Sequence, residues 1–307
     1  LITESVHPIG PELLTAAGHT VVYADRDMDI IRREIVDADA VLVRIIELPG
    51  SLLATAKNLK IVSKHGVGYD NIDLDYCKSH GVAVTITPNA NSLSVAEHAF
   101  TLMLTLAKNI IPVSNEYRTI GFAAKNHAPG IEMTGKTLGL IGMGRIGKHV
   151  LHMCRDGLDM HVIVYDPYIS EVPEGVEKVD DLSELLRRAD VVTLHCLLTD
   201  ETRKLIDRER LALMKPTALL INCARGPIVD EAALIEALEN GRLAGAGLDV
   251  TDPEPVAPDS PLFKLPNVIV TPHYAPTTVE SATRVSKIAA ENINAVLAGK
   301  EPVGRIV

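Results

Sequence analysis

Three residues in the second half of the chain have side chains suited to moving a proton beside a carboxylate. Arg225 lies in Asn222-Cys-Ala-Arg-Gly-Pro227, Glu254 in Asp249-Val-Thr-Asp-Pro-Glu-Pro255, and His273 in Thr271-Pro-His-Tyr274. A guanidinium grips a carboxylate through two hydrogen bonds and can polarise a neighbouring carbonyl. An imidazole, with an unperturbed pKa of about 6.5, takes a hydroxyl proton and returns it near neutral pH. A carboxylate beside that imidazole fixes its tautomer and favours the imidazolium. Each residue also has a plain structural reading: Arg225 as a surface charge, Glu254 as a loop carboxylate among prolines, His273 as a strand-end hydrogen bonder. What joins them is placement. Each follows an apolar run that reads as a strand, and in open α/β sheets the chemistry gathers beyond the carboxyl ends of strands.

The element that must position them begins at Lys136. Leu138 to Ile141 is a short apolar run that leads directly into Gly142-Met-Gly-Arg-Ile-Gly147. This reads as a buried strand, a tight turn and a helix start. In the dinucleotide-binding reading Gly142 permits the turn, Gly144 lets backbone approach a pyrophosphate, and Gly147 lets helix and strand pack closely. The helix start offers unpaired N–H groups and a positive dipole end to phosphates. Alone the glycine pattern also fits a merely tight strand–helix turn. The next strand, Val162 to Tyr165, ends in Asp166, about 20 residues past the glycines, where a carboxylate would hold ribose hydroxyls. Asp166 would repel a 2′-phosphate, and Pro167 and Tyr168 supply no cation, so NAD is expected over NADP.

Strand and helix signals alternate along the whole chain, which means parallel sheets with crossover helices. In the first hundred residues Thr20–Tyr23, Ala40–Val43, Ile61–Ser63 and Val82–Val84 read as strands. Helices are expected at Met28–Asp37, from Pro49-Gly50 through Ala56, and at Asp73–His80. Ser94 to about Ile111 reads as one long, nearly all-round apolar helix, and Gly121–Gly130 as a loop suited to a subunit contact. About six parallel strands follow, with the clearest helix at Asp230–Asn240, and a last long helix covers Val279–Ala298. The expected fold is α/β: two doubly wound parallel-sheet domains with a cleft between, a Rossmann-type NAD domain at 98–282 and a smaller, flavodoxin-like substrate domain at 1–97 and 283–307.

Composition narrows the function classes. The chain has 307 residues, 47% of them hydrophobic and 23% charged, with no Trp. Its net charge of −10 argues against bulk nucleic-acid or anionic-membrane binding, because phosphate attraction needs a basic face. Cys77, Cys154, Cys196 and Cys223 show no metal or C-x-x-C spacing, so free thiols in a reducing compartment, and no bound metal, are expected. No secretory leader is visible, and a cytoplasmic protein is the expectation.

Taken in order, His65-Gly-Val-Gly-Tyr-Asp-Asn-Ile-Asp73, Ser94-Val-Ala-Glu-His98, Gly142–Gly147, Ala224-Arg-Gly226, Gly245-Ala-Gly-Leu-Asp249, Pro253-Glu-Pro255, Ser260-Pro-Leu-Phe263, Leu265-Pro-Asn-Val268 and Thr271-Pro-His273 resemble the D-2-hydroxyacid dehydrogenase family. The resemblance implies an NAD-dependent dehydrogenase acting on a CH–OH group, with Arg225, Glu254 and His273 as the catalytic trio. It implies that the amides of Val67 and Gly68 hold the substrate carboxylate and that Asp249 contacts the nicotinamide carboxamide, with Ser94 and Val95 lining that pocket. The expected cofactor contacts are Gly142, Gly144, Arg145, Ile146, Gly147, Asp166, His195, Cys223, Ala224, Asp249 and Val95. A homodimer joined through the NAD domains is also implied.

Leu197, Thr251-Asp252 and Tyr274-Ala-Pro276 depart from the family pattern and bear on pocket shape. Arg44 and Lys64, at strand ends of the small domain, could receive a second anionic group, or be solvated surface charges. Phosphoglycerate therefore stands open beside small acids such as glyoxylate, hydroxypyruvate and lactate. The alternative from another class is an NAD-dependent corepressor-like binding protein of the same fold.

Overall fold

Apolar runs bounded by turn residues become ten strands, every one of which pairs in parallel. They are β1 (Ala40–Val43), β2 (Ile61–Lys64), β3 (Ala83–Thr85), β4 (Thr137–Ile141), β5 (His161–Tyr165), β6 (Val176–Lys178), β7 (Val191–Leu194), β8 (Leu219–Asn222), β9 (Gly245–Leu248) and β10 (Val268–Val270). The computed structural model describes residues 1–307, which divide into two compact units: Leu1–Asn91 with Pro276–Val307, and Ser92–Ala275.

The first unit is built on the sheet β1-β2-β3. Ile2 extends it by bridging Leu42 on one side and Tyr23 on the other. Counting those bridges, the order along the sheet is 2-1-3-4-5, the flavodoxin-like arrangement. The expected strand at Thr20–Tyr23 is thus reduced to a single bridge. Ile2 N donates to Val22 O and Ala24 N to Ile2 O, but left-handed Asp25 and Arg26 then turn the chain away. Helix Val279–Leu297 covers this sheet, packing Ala289, Ala290 and Ile293 against Ile2, Leu42 and Ile61. Its Thr278 hydroxyl caps the first turn by accepting from Ser281 N, and Gly299, at φ +71°, closes it.

In the second unit the order is β10-β9-β8-β7-β4-β5-β6, seven strands rather than six. The strand missing from the sequence reading is β6, a three-residue edge strand with one exposed and two half-buried residues, too short and polar to announce itself. Direction along the sheet reverses between β4 and β7, which is where a doubly wound sheet opens its ligand crevice. Helix Ser92–Ala107 lies against β8, β9 and β10 and against helix Arg145–Leu158. Val95, Ala96, Ala99 and Leu102 bury themselves in the same core as Leu138 and Leu140. That burial explains why the division falls at 91/92 and 275/276 rather than at 97/98, which would cut this helix.

The apolar stretch expected to be helical to Ile111 breaks earlier. Asn109 is left-handed, at φ +50°, and a second helix, Ile110–Ile120, starts beyond it with none of its residues buried. Gly121–Asn126, expected as loop, forms 3-10 turns, and the helix expected through Ala56 is the shorter Gly50–Leu53. Asp230 caps helix Glu231–Glu239 through Ala233 N as its sequence suggests. No helix is long and apolar enough to cross a membrane.

Gly147 carries a tight constraint. A Cβ there would lie 2.3 Å from Gly142 O, a backbone atom that cannot give way cheaply. Gly147→Ala is expected to lower stability by about 1–3 kcal/mol, measured as a lower urea midpoint; an unchanged midpoint would show that the turn is softer than it looks.

Candidate active site

The glycine loop leaves β4 at the sheet's reversal point. Gly142 sits at φ +90°, and a Cβ there would meet His195 C and Cys196 N at 2.8 Å, so only glycine lets β4 and β7 end this close together. Gly142 N donates to Tyr165 O at 3.0 Å. Asp166 then ties the loop to β5: Oδ2 accepts from Met143 N at 2.9 Å and Oδ1 from Tyr168 N at 3.0 Å. Gly144 is the N-cap of helix Arg145–Leu158 without a side-chain cap, and a Cβ there would meet nothing within 4 Å. Uncapped helix N–H groups beside open space form a cradle that fits a pyrophosphate. Arg145 is exposed at that helix start, and Ile146 packs into the core beneath it.

Arg225, Glu254 and His273 lie beyond the ends of β8, β9 and β10, which are neighbours in the sheet. The fully buried Asn222 shapes the first of these loops. Its Nδ2 donates to Arg225 O at 2.9 Å and its Oδ1 accepts from Ala224 N at 3.0 Å. Arg225 Nη1 donates to Ala224 O at 2.8 Å. Gly226 then passes so near the next loop that a Cβ would sit 1.9 Å from Thr251 O. Cys223 is buried here, and burial, with the Asp249 charge adding to it, pushes its thiol well above the usual range.

His273 Nδ1 lies 2.7 Å from Glu254 Oε1. With the carboxylate accepting, Nδ1 carries a proton and Nε2 is the nitrogen left to exchange one. His273 is left-handed, at φ +53°, which is strained for a residue other than glycine. The strain is held by Asp249, 1% exposed at the end of β9. Its Oδ1 accepts from Thr271 Oγ1 and Tyr274 N, both at 2.6 Å, and its Oδ2 accepts from Ala275 N at 2.9 Å. His273 N donates to Asp249 O at 2.8 Å.

His195, just past β7, has Nε2 2.8 Å from Thr193 Oγ1, and its Nδ1 is buried without a partner. Burial holds its pKa down at about 3, so the ring is neutral beside the cradle. Val95 is buried in the core of this unit, and Ser94 is buried close to it in sequence.

In the first unit the loop after β2 carries Val67 and Gly68, whose amides make no hydrogen bond within the chain. Two adjacent N–H groups in that state suit an anionic oxygen. Lys64 is not a surface charge: it is buried, and its ammonium donates to Arg44 O and, at 2.6 Å, to Asn71 Oδ1. Arg44 is half-buried, with Nη1 donating to Ser5 O at 2.9 Å. The backbone around it is fixed by Glu4, which the sequence reading missed. This buried carboxylate accepts from the Thr3 hydroxyl and from Arg44 N, Ile45 N and Ile46 N. Burial pushes the Glu4 carboxyl up, but those four hydrogen bonds outweigh it and leave it below its ordinary value. Asn222 and Thr271 were missed as well; a buried Asn closing an apolar strand was the available signal for the first.

The fold and these strand-end residues define a dinucleotide-binding domain with a histidine–carboxylate pair beyond the ends of its strands. Residues 100–275 match the model of the D-isomer specific 2-hydroxyacid dehydrogenase NAD binding domain. The chain belongs to that family. Over 304 residues it is 42% identical to D-3-phosphoglycerate dehydrogenase of Methanocaldococcus jannaschii, covering 98% of this chain but 57% of that one. It is 38% identical to glyoxylate reductase of Thermofilum pendens, covering 98% and 92%. The chain thus spans about half the length of several curated relatives it matches. The crystal structure of D-lactate dehydrogenase from Aquifex aeolicus, with NAD and lactic acid, superposes with a TM-score of 0.88 at 33% identity, covering 97% of this chain and 95% of that one.

The depressed His195 pKa has a consequence for stability. The folded state binds this proton more weakly than the unfolded chain, whose histidine titrates at about 6.5. Stability is therefore full above about pH 6.5 and falls as the pH drops toward about 3. Urea midpoints measured from pH 7.5 to 4.5 are expected to decline less steeply in His195→Gln than in the wild type; parallel declines would remove His195 from this role.

Proposed function

We propose that the protein transfers hydride between a D-2-hydroxy acid, or the matching 2-keto acid, and NAD(H). The observation that carries this reading is the 2.7 Å His273–Glu254 pair beyond adjacent strand ends of an NAD-binding domain. The nicotinamide cofactor, when bound, supplies the hydride acceptor in oxidation and the donor in reduction. His273 takes the hydroxyl proton at Nε2 in oxidation and gives it back in reduction. Glu254 holds Nδ1–H and stabilises the imidazolium. Arg225 grips the substrate carboxylate, aligns the reacting carbon and polarises the carbonyl, chiefly a positioning effect. In the first unit the amides of Val67 and Gly68 receive carboxylate oxygens.

For the cofactor, Gly142, Gly144, Arg145, Ile146 and Gly147 would form the pyrophosphate cradle and Asp166 would hold the ribose hydroxyls. Val95, His195, Cys223, Ala224 and Asp249 would line the remainder. Asp166 offers no counter-charge to a 2′-phosphate, which supports NAD over NADP. For the acid, Lys64 braces the loop through Arg44 O and Asn71, leaving Arg44 as the cation that would meet a second anionic group. Relatives named for phosphoglycerate and for glyoxylate support both substrate classes. Enzyme names among the relatives favour catalysis over the corepressor-like alternative, and four free thiols fit a reducing, cytoplasmic setting.

A panel of 2-keto acids, each assayed with NADH and with NADPH, tests this reading. Turnover is expected with NADH, falling on the order of 100- to 10,000-fold in His273→Ala while NADH binding persists. Near-normal turnover in that variant would sink the assignment, and equal efficiency with NADPH would contradict the role of Asp166.

We also infer a homodimer joined through the NAD-binding unit. Ile110, Ile111, Tyr117 and Ile120 of the helix without buried residues, with Phe122 beyond it, stay exposed, an apolar face of the sort that marks an interface. Sedimentation is expected to show a dimer that Ile120→Glu with Phe122→Glu converts to monomer; a monomeric wild type would overturn it.

A further inference from the structure

Helix Ser92–Ala107 brings one histidine to the back of the turn that carries His273. His98 Nε2 lies 3.0 Å from Thr271 Oγ1 and 3.6 Å from Asp249 Oδ1, and its side chain is 16% exposed. Its ring meets the Tyr274 ring edge-on, with centroids 6.1 Å apart and planes at 63°. His98 thus touches residues on both sides of His273, and the carboxylate beneath it.

The direction of these hydrogen bonds follows from what each group can do. An ionised carboxylate only accepts, so the Thr271 hydroxyl must give its one proton to Asp249 Oδ1, 2.6 Å away. The oxygen of that hydroxyl is then an acceptor toward His98, and His98 Nε2 must be the donor. The chain runs from His98 Nε2–H to Thr271 Oγ1–H to Asp249 Oδ1. It fixes the Asp249 carboxylate from one side while Tyr274 N and Ala275 N fix it from the other. Asp249 in turn holds the left-handed backbone of His273 through its carbonyl.

We propose that His98 is a positioning residue for the proposed hydride transfer, acting through Thr271 and Asp249 to keep His273 in its left-handed turn. It touches neither substrate nor cofactor in this role. The inference rests on the dehydrogenase reading for its kinetic effect but not for the hydrogen-bond chain, which belongs to the protein without ligands.

Two measurements separate these parts. The first is a urea-denaturation double-mutant cycle on the ligand-free protein, with His98→Phe, which keeps an aromatic ring against Tyr274, and Thr271→Val, which keeps the β-branched shape. The two substitutions are expected to be non-additive, the double variant losing little more than the worse single one; additive losses would overturn the chain itself. The second is steady-state kinetics of folded His98→Phe and His98→Gln on the best 2-keto acid, with NADH affinity followed by fluorescence. His98→Phe is expected to lose on the order of 10-fold in kcat with the KM for the keto acid changed less than threefold. His98→Gln, whose amide can donate from about the same place, is expected to recover most of that loss. If Thr271→Val folds where His98→Phe does not, the same kcat loss is expected in it. A wild type inactive toward every 2-keto acid would defeat the dehydrogenase reading and leave the denaturation cycle to judge the chain. An active wild type matched by His98→Phe, or a Gln variant no better than Phe, would overturn the positioning role.

Discussion

A carboxylate buried without hydrogen bonds is costly, and the end of β9 meets that cost by arranging the backbone around Asp249. Its oxygens draw in the Thr271 hydroxyl and the amides of Tyr274 and Ala275, and its own carbonyl accepts from His273 N. A turn pulled inward at so many points can keep a histidine at φ +53°. The His273–Glu254 pair depends on it, because Glu254 can bond Nδ1 only while that turn presents the ring to the neighbouring loop. A group that looks like a cofactor contact in the sequence is therefore also the anchor of the His273 turn.

The cofactor cradle rests on a different constraint, the near-contact of backbone with backbone. Gly142 lets β4 end against His195 and Cys196, and Gly147 lets the following helix start against Gly142 O. At Gly144 the reverse holds, because space is left where a side chain could have stood. The same residue type thus supplies closeness at two points and emptiness at the third. Asp166 spends a lone pair from each oxygen on the chain's own amides and so fixes the loop before any ribose arrives.

Much of this was legible in the chain itself, and the exceptions have physical reasons. Periodicity marks β4, β5 and β7 to β9 because buried parallel strands are continuous apolar runs; of the two edge strands, half-buried β10 still shows as Val268-Ile-Val270, whereas β6 carries Glu177 and Lys178 and does not. Thr20–Tyr23 has strand composition, but its pairing is settled by the left-handed turn at Asp25 and Arg26, which composition does not announce. Arg225, Glu254 and His273 are visible because their types suit proton transfer and each follows a strand. Asn222 does its work within its own loop, on Ala224 N and Arg225 O, whereas Glu4 and Thr271 escape notice because their partners are distant along the chain: Glu4 bonds amides some forty residues on, and Thr271 bonds the Asp249 carboxylate. Lys64 misleads for the same reason, since a lysine at a strand end reads as solvated until its partners, Arg44 O and Asn71, are seen.

Gly226 has a bearing on how such a protein can change. The loop of Arg225 and the segment entering Pro253 and Glu254 pass with no room between them even for a methyl group. Two neighbouring loops pressed together in this way can only shift as one body, so the geometry of guanidinium and carboxylate is inherited as a block. Descendants that accept a different acid would then be expected to vary in side chains elsewhere, at rims such as Arg44 to Glu47, while this junction stays as it is. On the proposed function, chemistry and selectivity would then sit on parts of the chain that are free to evolve at different rates.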